Sequence, residues 1–245
     1  MQAEGTLQLA IDSIRLRYGS QALTRAGELP PPTPWRSGTP VDDLTGIGGL
    51  PRGQLTLFTG AGTCGKLTFA LALLAAATRQ FAHALVIDGG GFDPTWLLPF
   101  SPEPGALTIV RAPAPEIAGE AGAALARAGA GFLLLMCEVP EHWLGPLESG
   151  ANRSGTVMVG VVDAANRALA HASSFSLGFS RRDWVWERGQ LVGIRVSATC
   201  VKNRIAPPLG ATELEIRYPL GTATSGVTEI ETRYEEEQPR ESVVG

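Results

Sequence analysis

The sequence predicts an α/β fold with a mostly parallel β-sheet flanked by helices. Three observations support this prediction. Short apolar runs alternate with longer segments rich in Ala and Leu, as strands and crossover helices do in parallel sheets. A glycine-rich loop separates the first such strand from the first long helix. The chain has 245 residues, 44% hydrophobic and 18% charged, which is sufficient for one large domain with small additions.

The predicted elements follow one another along the main domain. Residues 54–59 form a buried strand that leads into the glycine loop, and residues 66–80 form a helix because Ala and Leu dominate them. Residues 84–88 form a second strand, which three glycines end. The other predicted elements are a helix of small residues over 118–128, strands over 132–136 and 156–162, and a β extension of 191–201 and 213–218 at one edge of the sheet.

Composition divides the chain into four segments. Residues 1–27 are predicted to be an N-terminal helical arm, since Leu7, Ile11, Ile14 and Tyr18 fall at helical spacing. This helix packs either on its own domain or on a neighbouring molecule. The other predicted segments are a linker over 28–40 with five prolines, a core domain over 41–233, and a solvated acidic tail over 234–245.

Charge and cysteine content exclude several classes of protein. The net charge of −4 argues against a strongly basic nucleic-acid surface. Three widely spaced cysteines fit reduced thiols better than a disulfide framework or a zinc site. The N-terminus lacks a secretion-signal pattern and no run approaches the length of a membrane span. We therefore expect a cytoplasmic protein without a membrane partner.

The glycine loop resembles a phosphate-binding P-loop with one change. Gly60, Gly65 and Lys66 are in register with that pattern, but Leu67 stands where a hydroxyl residue would bind Mg²⁺. Glycines allow backbone N–H groups to converge on an anion, and the start of a helix favours negative charge. Thr68 lies one residue too late, about 100° further around the helix. The loop therefore predicts nucleotide binding with weak or no hydrolysis.

A second interpretation of the same loop is a dinucleotide site. Residues 60–65 also match GxGxxG, and Asp88 lies near the spacing of a ribose-binding acid. That pattern is typical of dinucleotide-binding oxidoreductases. Lys66 and the roughly 50 residues that precede the strand fit a P-loop better, because a dinucleotide domain usually begins near its first strand.

Three stretches resemble the RecA recombinase family in order and spacing. They are residues 37–44 with 48–53, residues 86–88 with 92–94, and residues 201–208 (VKNRIAPP), whose match continues over 213–218. The helix before Tyr18-Gly19-Ser20 is similar to the family's oligomerisation arm. The resemblance covers most of 7–100 and 190–221. It implies a RecA-like P-loop core that binds ATP or ADP.

The resemblance also assigns roles to individual residues. Asp93 matches a contact to adenine and Trp96 an aromatic that stacks on the base, although an ordinary packing role for Trp96 is equally open. Lys202 and Arg204 match cations that reach the nucleotide of the adjacent subunit; alternatively they are solvated. The loop residues implied to bind nucleotide are Gly60, Gly62, Thr63, Cys64, Gly65, Lys66, Leu67 and Thr68.

The chain departs from the family where catalysis takes place. The family's catalytic glutamate falls on Gly90, which can neither orient nor deprotonate water. The acid at the end of the third strand is displaced, which leaves Glu138 as a substitute metal ligand. We therefore expect no catalytic residue and weakened Mg²⁺ binding.

The DNA-binding loops of the family look truncated after residue 137, so we expect single-stranded DNA binding to be weak or absent. Residues 181–186 are either a local DNA contact or a strand with one packed face.

These departures resemble the ImuA group of RecA-related accessory proteins. The resemblance implies a role in the SOS damage response, in translesion synthesis or in modulation of recombinase filaments. The implied partners are the recombinase RecA or translesion polymerase subunits, reached through the arm at 7–23 and the edge at 202–208, and the arm can also mediate self-association. The enzyme alternative is an active DNA-dependent ATPase or recombinase paralogue that uses Glu138 and Thr68.

Overall fold

The computed structural model describes residues 9, 11–14, 16, 17, 33–207, 210–217 and 230–232. The chain divides into two compact units, residues 1–32 and 33–245. In the first unit, the described residues 9, 11–14, 16 and 17 are helical. Leu7 and Tyr18 of the predicted apolar stripe lie outside the described residues, as does the predicted tail over 234–245.

The second unit contains alternating strands and helices. Its described strands are β1 (Pro34–Trp35), β2 (Leu50–Pro51), β3 (Leu55–Thr59), β4 (Ala84–Asp88), β5 (Leu107–Arg111), β6 (Phe132–Met136), β7 (Val157–Val162), β8 (Phe175–Glu187), β9 (Gln190–Asn203), β10 (Ala211–Arg217) and β11 (Ile230–Thr232). Its described helices are α1 (Val41–Leu44), α2 (Lys66–Gln80), α3 (Pro115–Ala128), α4 (Glu141–Ser154) and α5 (Arg167–Ala172), with short 3₁₀ segments over Pro94–Phe100 and Pro104–Ala106.

One sheet organises this unit. Within the described residues it has nine strands in the order β11-β10-β9-β8-β3-β7-β6-β4-β5. The six strands from β8 to β5 run parallel, whereas β9, β10 and β11 continue the sheet in antiparallel fashion. The predicted α/β fold with a β extension at one edge is therefore confirmed.

The sheet separates two apolar cores. On one face, Phe58 of β3 packs against Phe69 of α2 with ring centroids 5.6 Å apart. On the other face, Ile87 of β4 shares a core with Leu147 of α4 and Ala126 of α3. Parallel strands buried on both faces are continuously apolar, which explains why the sequence showed them as uninterrupted hydrophobic runs.

The second unit begins before residue 41. β1 pairs with β2, and Trp35 is buried, with its indole N–H donating to Gln80 Oε1 at 2.8 Å. Its ring also meets Phe132 edge to face at 5.2 Å. The compact unit therefore includes the second half of the segment predicted as a linker.

Several elements of this unit were not predicted, among them β5, α4 and α5. α4 occupies most of the segment between the third and fourth predicted strands, so the connection from β6 shrinks to residues 137–140. The connection from β7 to α5 is residues 163–166. Among the described helices, none combines the length and apolar character needed to cross a bilayer.

Candidate functional site

The glycine loop lies between β3 and α2, at the carboxyl end of the parallel strands. Gly60, Gly62 and Gly65 have φ angles of 150°, 57° and 85°, which side chains other than glycine rarely adopt. A Cβ atom on Gly60 would lie 2.4 Å from the carbonyl oxygen of Phe179 in β8. The loop therefore needs glycine both for its conformation and for its close approach to β8.

Lys66 is buried inside this loop and binds two oxygens. Its ammonium donates to the carbonyl oxygen of Gly60 at 2.6 Å and to Asp163 Oδ1 at 2.6 Å. The hydrogen bond and the charge of Lys66 hold the pKa of Asp163 below its ordinary value. Sequence reasoning missed Asp163, although it is the first polar residue after an apolar strand at this end of the sheet.

The register of the sheet explains why Asp163 reaches the loop. β3 and β7 run parallel, and Thr59 pairs with Val162 at their carboxyl ends. The next residues, Gly60 and Asp163, are therefore neighbours, and the Gly60 N–H donates to the Asp163 carbonyl oxygen at 3.2 Å. The backbone of Asp163 is thus held beside the loop.

A cavity of about 1060 Å³ opens in front of the loop, between it and the ends of β6 and β7. Leu67 and Thr68 both line it, so the position of the expected hydroxyl is apolar and the neighbouring threonine faces the same space. Of the predicted residues, the described lining contains Gly62, Thr63, Gly65, Lys66, Leu67, Thr68 and Glu138, whereas Gly60, Cys64, Asp93 and Trp96 are not part of it.

A second cation approaches the loop from β8. Arg181 Nη1 donates to Thr63 Oγ1 at 3.3 Å, and the guanidinium lies 4.4 Å from the ring centroid of Trp184. Trp184 and Trp186 are exposed while Val185 between them is buried. This segment is thus a strand with one packed face, and its arginine touches the loop.

Asp88, at the end of β4, organises the turn that contains Gly90. Its Oδ1 accepts the backbone N–H groups of Gly90, Gly91 and Phe92 at 2.9–3.0 Å, and its Oδ2 accepts from Arg111. Burial alone would raise the pKa of Asp88, but these donors outweigh it and hold the pKa below its ordinary value.

The arrangement argues against a dinucleotide site. In such sites the acid for the ribose ends the strand next to the glycine-loop strand. Here β6 and β7 lie between β3 and β4, and the oxygens of Asp88 are bonded to the turn and to Arg111.

The two predicted base contacts lie on the 3₁₀ segment after this turn. Asp93 begins the segment, and its carboxylate accepts the Thr95 N–H at 2.9 Å. Trp96 is 41% exposed and meets Phe92 edge to face at 6.1 Å. Both side chains are accessible from solvent, but they lie outside the cavity in front of the loop.

Lys202 is engaged within its own chain. Its ammonium donates to the carbonyl oxygens of Ala170, His171 and Ser173 at the end of α5, where a cation favours the helix dipole. Burial lowers the pKa of Lys202, and the nearby Arg204 lowers it further. Arg204 is exposed and lies 3.5 Å from His171 Nδ1. Arg204 is therefore the more accessible of the two predicted interface cations.

The sequence predicted phosphate binding through Lys66 and named Glu138 as a substitute metal ligand. Among the described residues, no group of three or more His, Cys, Asp or Glu side chains could hold a metal ion. Glu138 is exposed and lines the cavity. Burial raises the pKa of the adjacent Cys137 thiol to about 11, so this thiol stays protonated at neutral pH. Leu67 stands at the position of the expected hydroxyl and has no side-chain oxygen to offer a metal.

The chain is similar to several bacterial RecA proteins. It is 26% identical to Protein RecA of Chlorobium limicola over 90% of this chain and 75% of that protein. Protein RecA of Chlorobaculum tepidum is 27% identical over 90% of this chain and 76% of that protein. Protein RecA of Lactiplantibacillus plantarum is 27% identical over 91% of this chain and 70% of that protein. No protein-family model matches the chain.

Proposed function

Since the chain is related to the RecA family, we propose that it is a nucleotide-binding accessory protein of DNA repair that hydrolyses little or no ATP. It acts through protein contacts in the damage response, either in translesion synthesis or on recombinase filaments. The ligand is ATP or ADP, held by the glycine loop and Lys66, with a weak contribution from Mg²⁺.

One observation supports this proposal most strongly. The residues expected to bind phosphate are present, whereas those expected to bind the metal and to position the attacking water are replaced. Gly60 and Gly65 adopt φ angles of 150° and 85°, and Lys66 begins α2, where the start of a helix favours an anion. Leu67 offers no oxygen to a metal, and Gly90 offers no carboxylate to water. Phosphoryl transfer depends on positioning and charge, so each such loss lowers turnover by orders of magnitude.

The adenine end of the nucleotide belongs to Asp93 and Trp96 in this proposal. Both are exposed on the 3₁₀ segment that follows the Asp88 turn. A carboxylate can accept a hydrogen bond from the exocyclic amine of adenine, and an indole offers a wide surface for stacking.

The short connections at residues 137–140 and 163–166 support weak or absent binding of single-stranded DNA. Strand binding needs a continuous cationic track with aromatics. Arg182 and Arg217 nearby are paired with Glu213 and Glu187. Arg181 lies against Trp184 and forms a small local patch.

In this proposal the chain acts mainly by binding other proteins. The surfaces proposed for contact are the arm at 7–23 and the edge at 202–208, in which Arg204 is exposed. The partners proposed are a RecA recombinase, a translesion polymerase subunit or a second copy of the chain. Pro208 and most of the arm lie outside the described residues.

The direct test is ATP turnover with and without single-stranded DNA, measured with nucleotide affinity by calorimetry. We expect micromolar or weaker ADP binding, no DNA-stimulated turnover, and loss of ADP binding in Lys66→Ala. DNA-stimulated hydrolysis that Lys66→Ala abolishes would establish the rival ATPase, which draws on Thr68 and Glu138 in the same cavity.

A pull-down with the host's recombinase and polymerase subunits tests the accessory role. Lys66→Ala should retain its partner in this experiment, because neither proposed contact surface, the arm at 7–23 or the edge at 202–208, includes Lys66. Arg204→Ala should weaken capture, and Arg188→Ala at the tip of the β8–β9 hairpin is the matched control.

A further inference from the structure

We propose that Asp163 is an internal competitor for phosphate at the glycine loop and thereby sets the nucleotide affinity of the site. This inference rests on the proposed binding of nucleotide by the loop. The carboxylate of Asp163 holds the Lys66 ammonium in the position where a phosphate oxygen would bind it. A nucleotide must displace this carboxylate to reach the lysine.

The geometry around Lys66 supports the competition. An ammonium group has three donors, and two of them are directed at Gly60 and Asp163, each at 2.6 Å. The bond to Gly60 stays within the loop and keeps the ammonium in the site. The bond to Asp163 comes from another strand and is the one that an incoming anion can replace.

The two partners differ in exposure in a way that makes exchange possible. The side chain of Lys66 is 9% exposed, whereas that of Asp163 is 78% exposed. The backbone of Asp163 is held by Gly60, but its carboxylate lies on the solvent side of the pair. It can therefore rotate into water without disturbing the core, while Lys66 stays in place.

The negative charge of Asp163 also opposes phosphate binding. Asp163 lines the cavity that faces the loop, so its negative charge repels a phosphate there, in addition to its carboxylate being bonded to the Lys66 ammonium. Asparagine has the same shape without the charge. Because the carboxylate is well solvated, we expect Asp163→Asn to bind ADP roughly three- to tenfold more tightly.

A matched control separates the ion pair from the general charge of the cavity. Glu141 lines the same cavity at the start of α4. Glu141→Gln removes one negative charge from the cavity and should change ADP affinity less than Asp163→Asn does. Asp163→Ser is a second variant at the same position, which guards against an effect peculiar to the asparagine amide.

The experiment is calorimetric titration of the full chain with ADP and, separately, with inorganic pyrophosphate. The proteins are the wild type, Asp163→Asn, Asp163→Ser, Glu141→Gln and Lys66→Ala, each checked for folding by circular dichroism. We expect both Asp163 variants to gain affinity for both ligands, because the competition acts on phosphate rather than on the base.

The possible failures are distinguishable. Equal ADP affinity in the wild type and both Asp163 variants, with Lys66→Ala weaker, overturns the competition and leaves nucleotide binding intact. An equal gain in Glu141→Gln, or a gain for ADP without one for pyrophosphate, also overturns it. If no protein binds either ligand, nucleotide binding by the loop is itself wrong, and the competition with it.

Discussion

Two aspartates at the same edge of the sheet have opposite surroundings. Asp88 ends β4 and is buried, and its oxygens bind three backbone N–H groups and Arg111. Asp163 follows β7 and is exposed, and its carboxylate binds Lys66. The buried aspartate holds a turn, while the exposed one is the proposed competitor for phosphate. At this edge, the two aspartates differ in burial rather than in residue type.

The largest expected effect comes from removing the buried carboxylate. Asp88→Ala leaves the turn N–H groups and Arg111 without their acceptor, so we expect a loss of about 3 kcal/mol in the free energy of unfolding. Chemical denaturation measures it. Asp93→Ala is the matched control, since that exposed carboxylate accepts a single backbone N–H, from Thr95, in the next turn. An equal loss in both variants would show that burial does not determine how much an aspartate contributes to the free energy of unfolding.

The glycine loop provides a second test of how rigidly the exposed site is held. A Cβ on Gly60 would contact the Phe179 carbonyl oxygen at 2.4 Å, whereas one on Gly62 meets nothing within 4 Å. We expect Gly60→Ala to cost about 2 kcal/mol or more and Gly62→Ala, at φ 57°, about 1 kcal/mol. Thermal or urea unfolding of the two variants measures the difference. Equal costs would show that the loop relaxes away from β8.

These two regions also differ in how well the sequence predicts them. The loop from Gly60 to Lys66 and the helix that follows it could be predicted because their chemistry is local. The pairing of Lys66 with Asp163 spans 97 positions in the chain. It depends on the register of β3 beside β7, which a pattern of apolar residues does not determine. The role of Asp88 in the turn could not be predicted either, because three of its hydrogen-bond donors are backbone N–H groups, which every residue except proline has.

Helix α4 shows why one element was missed altogether. It contains Gly145, Pro146 and Gly150, residues that usually end helices or weaken them. Packing explains the exception, since a Cβ on Gly150 would lie 3.0 Å from the backbone nitrogen of Arg127 in α3. The close contact between α3 and α4 thus uses a glycine that, from the sequence alone, favours a loop.

Acid pH gives a third, smaller test of the buried carboxylate. In the folded protein the pKa of Asp88 lies below its ordinary value of 3.8. As pH falls through that value, the unfolded chain takes up the proton first. The stability that Asp88 contributes is therefore fully present above pH 3.8 and is lost towards the folded pKa, with a slope of at most about 1.4 kcal/mol per pH unit. Unfolding of the wild type and Asp88→Asn between pH 2 and pH 6 measures it. Parallel curves for the two proteins would exclude this linkage.

The smallest expected effect on the free energy of unfolding is that of Asp163→Asn, and it gives the most direct comparison of the two aspartates. Its pKa is also lowered, by Lys66, yet the carboxylate is solvated and the pair is screened by water. We expect its loss in the free energy of unfolding to be smaller than that of Gly62→Ala, while its ADP affinity changes in the opposite direction. Asp88→Asn should show the reverse, with a clear loss of stability and little gain in affinity. The two variants remove the same charge, so only the surroundings of each aspartate can produce the opposite outcomes. If Asp163→Asn unfolds as readily as Asp88→Asn, the exposed pair is part of the scaffold and cannot serve as an exchangeable ligand.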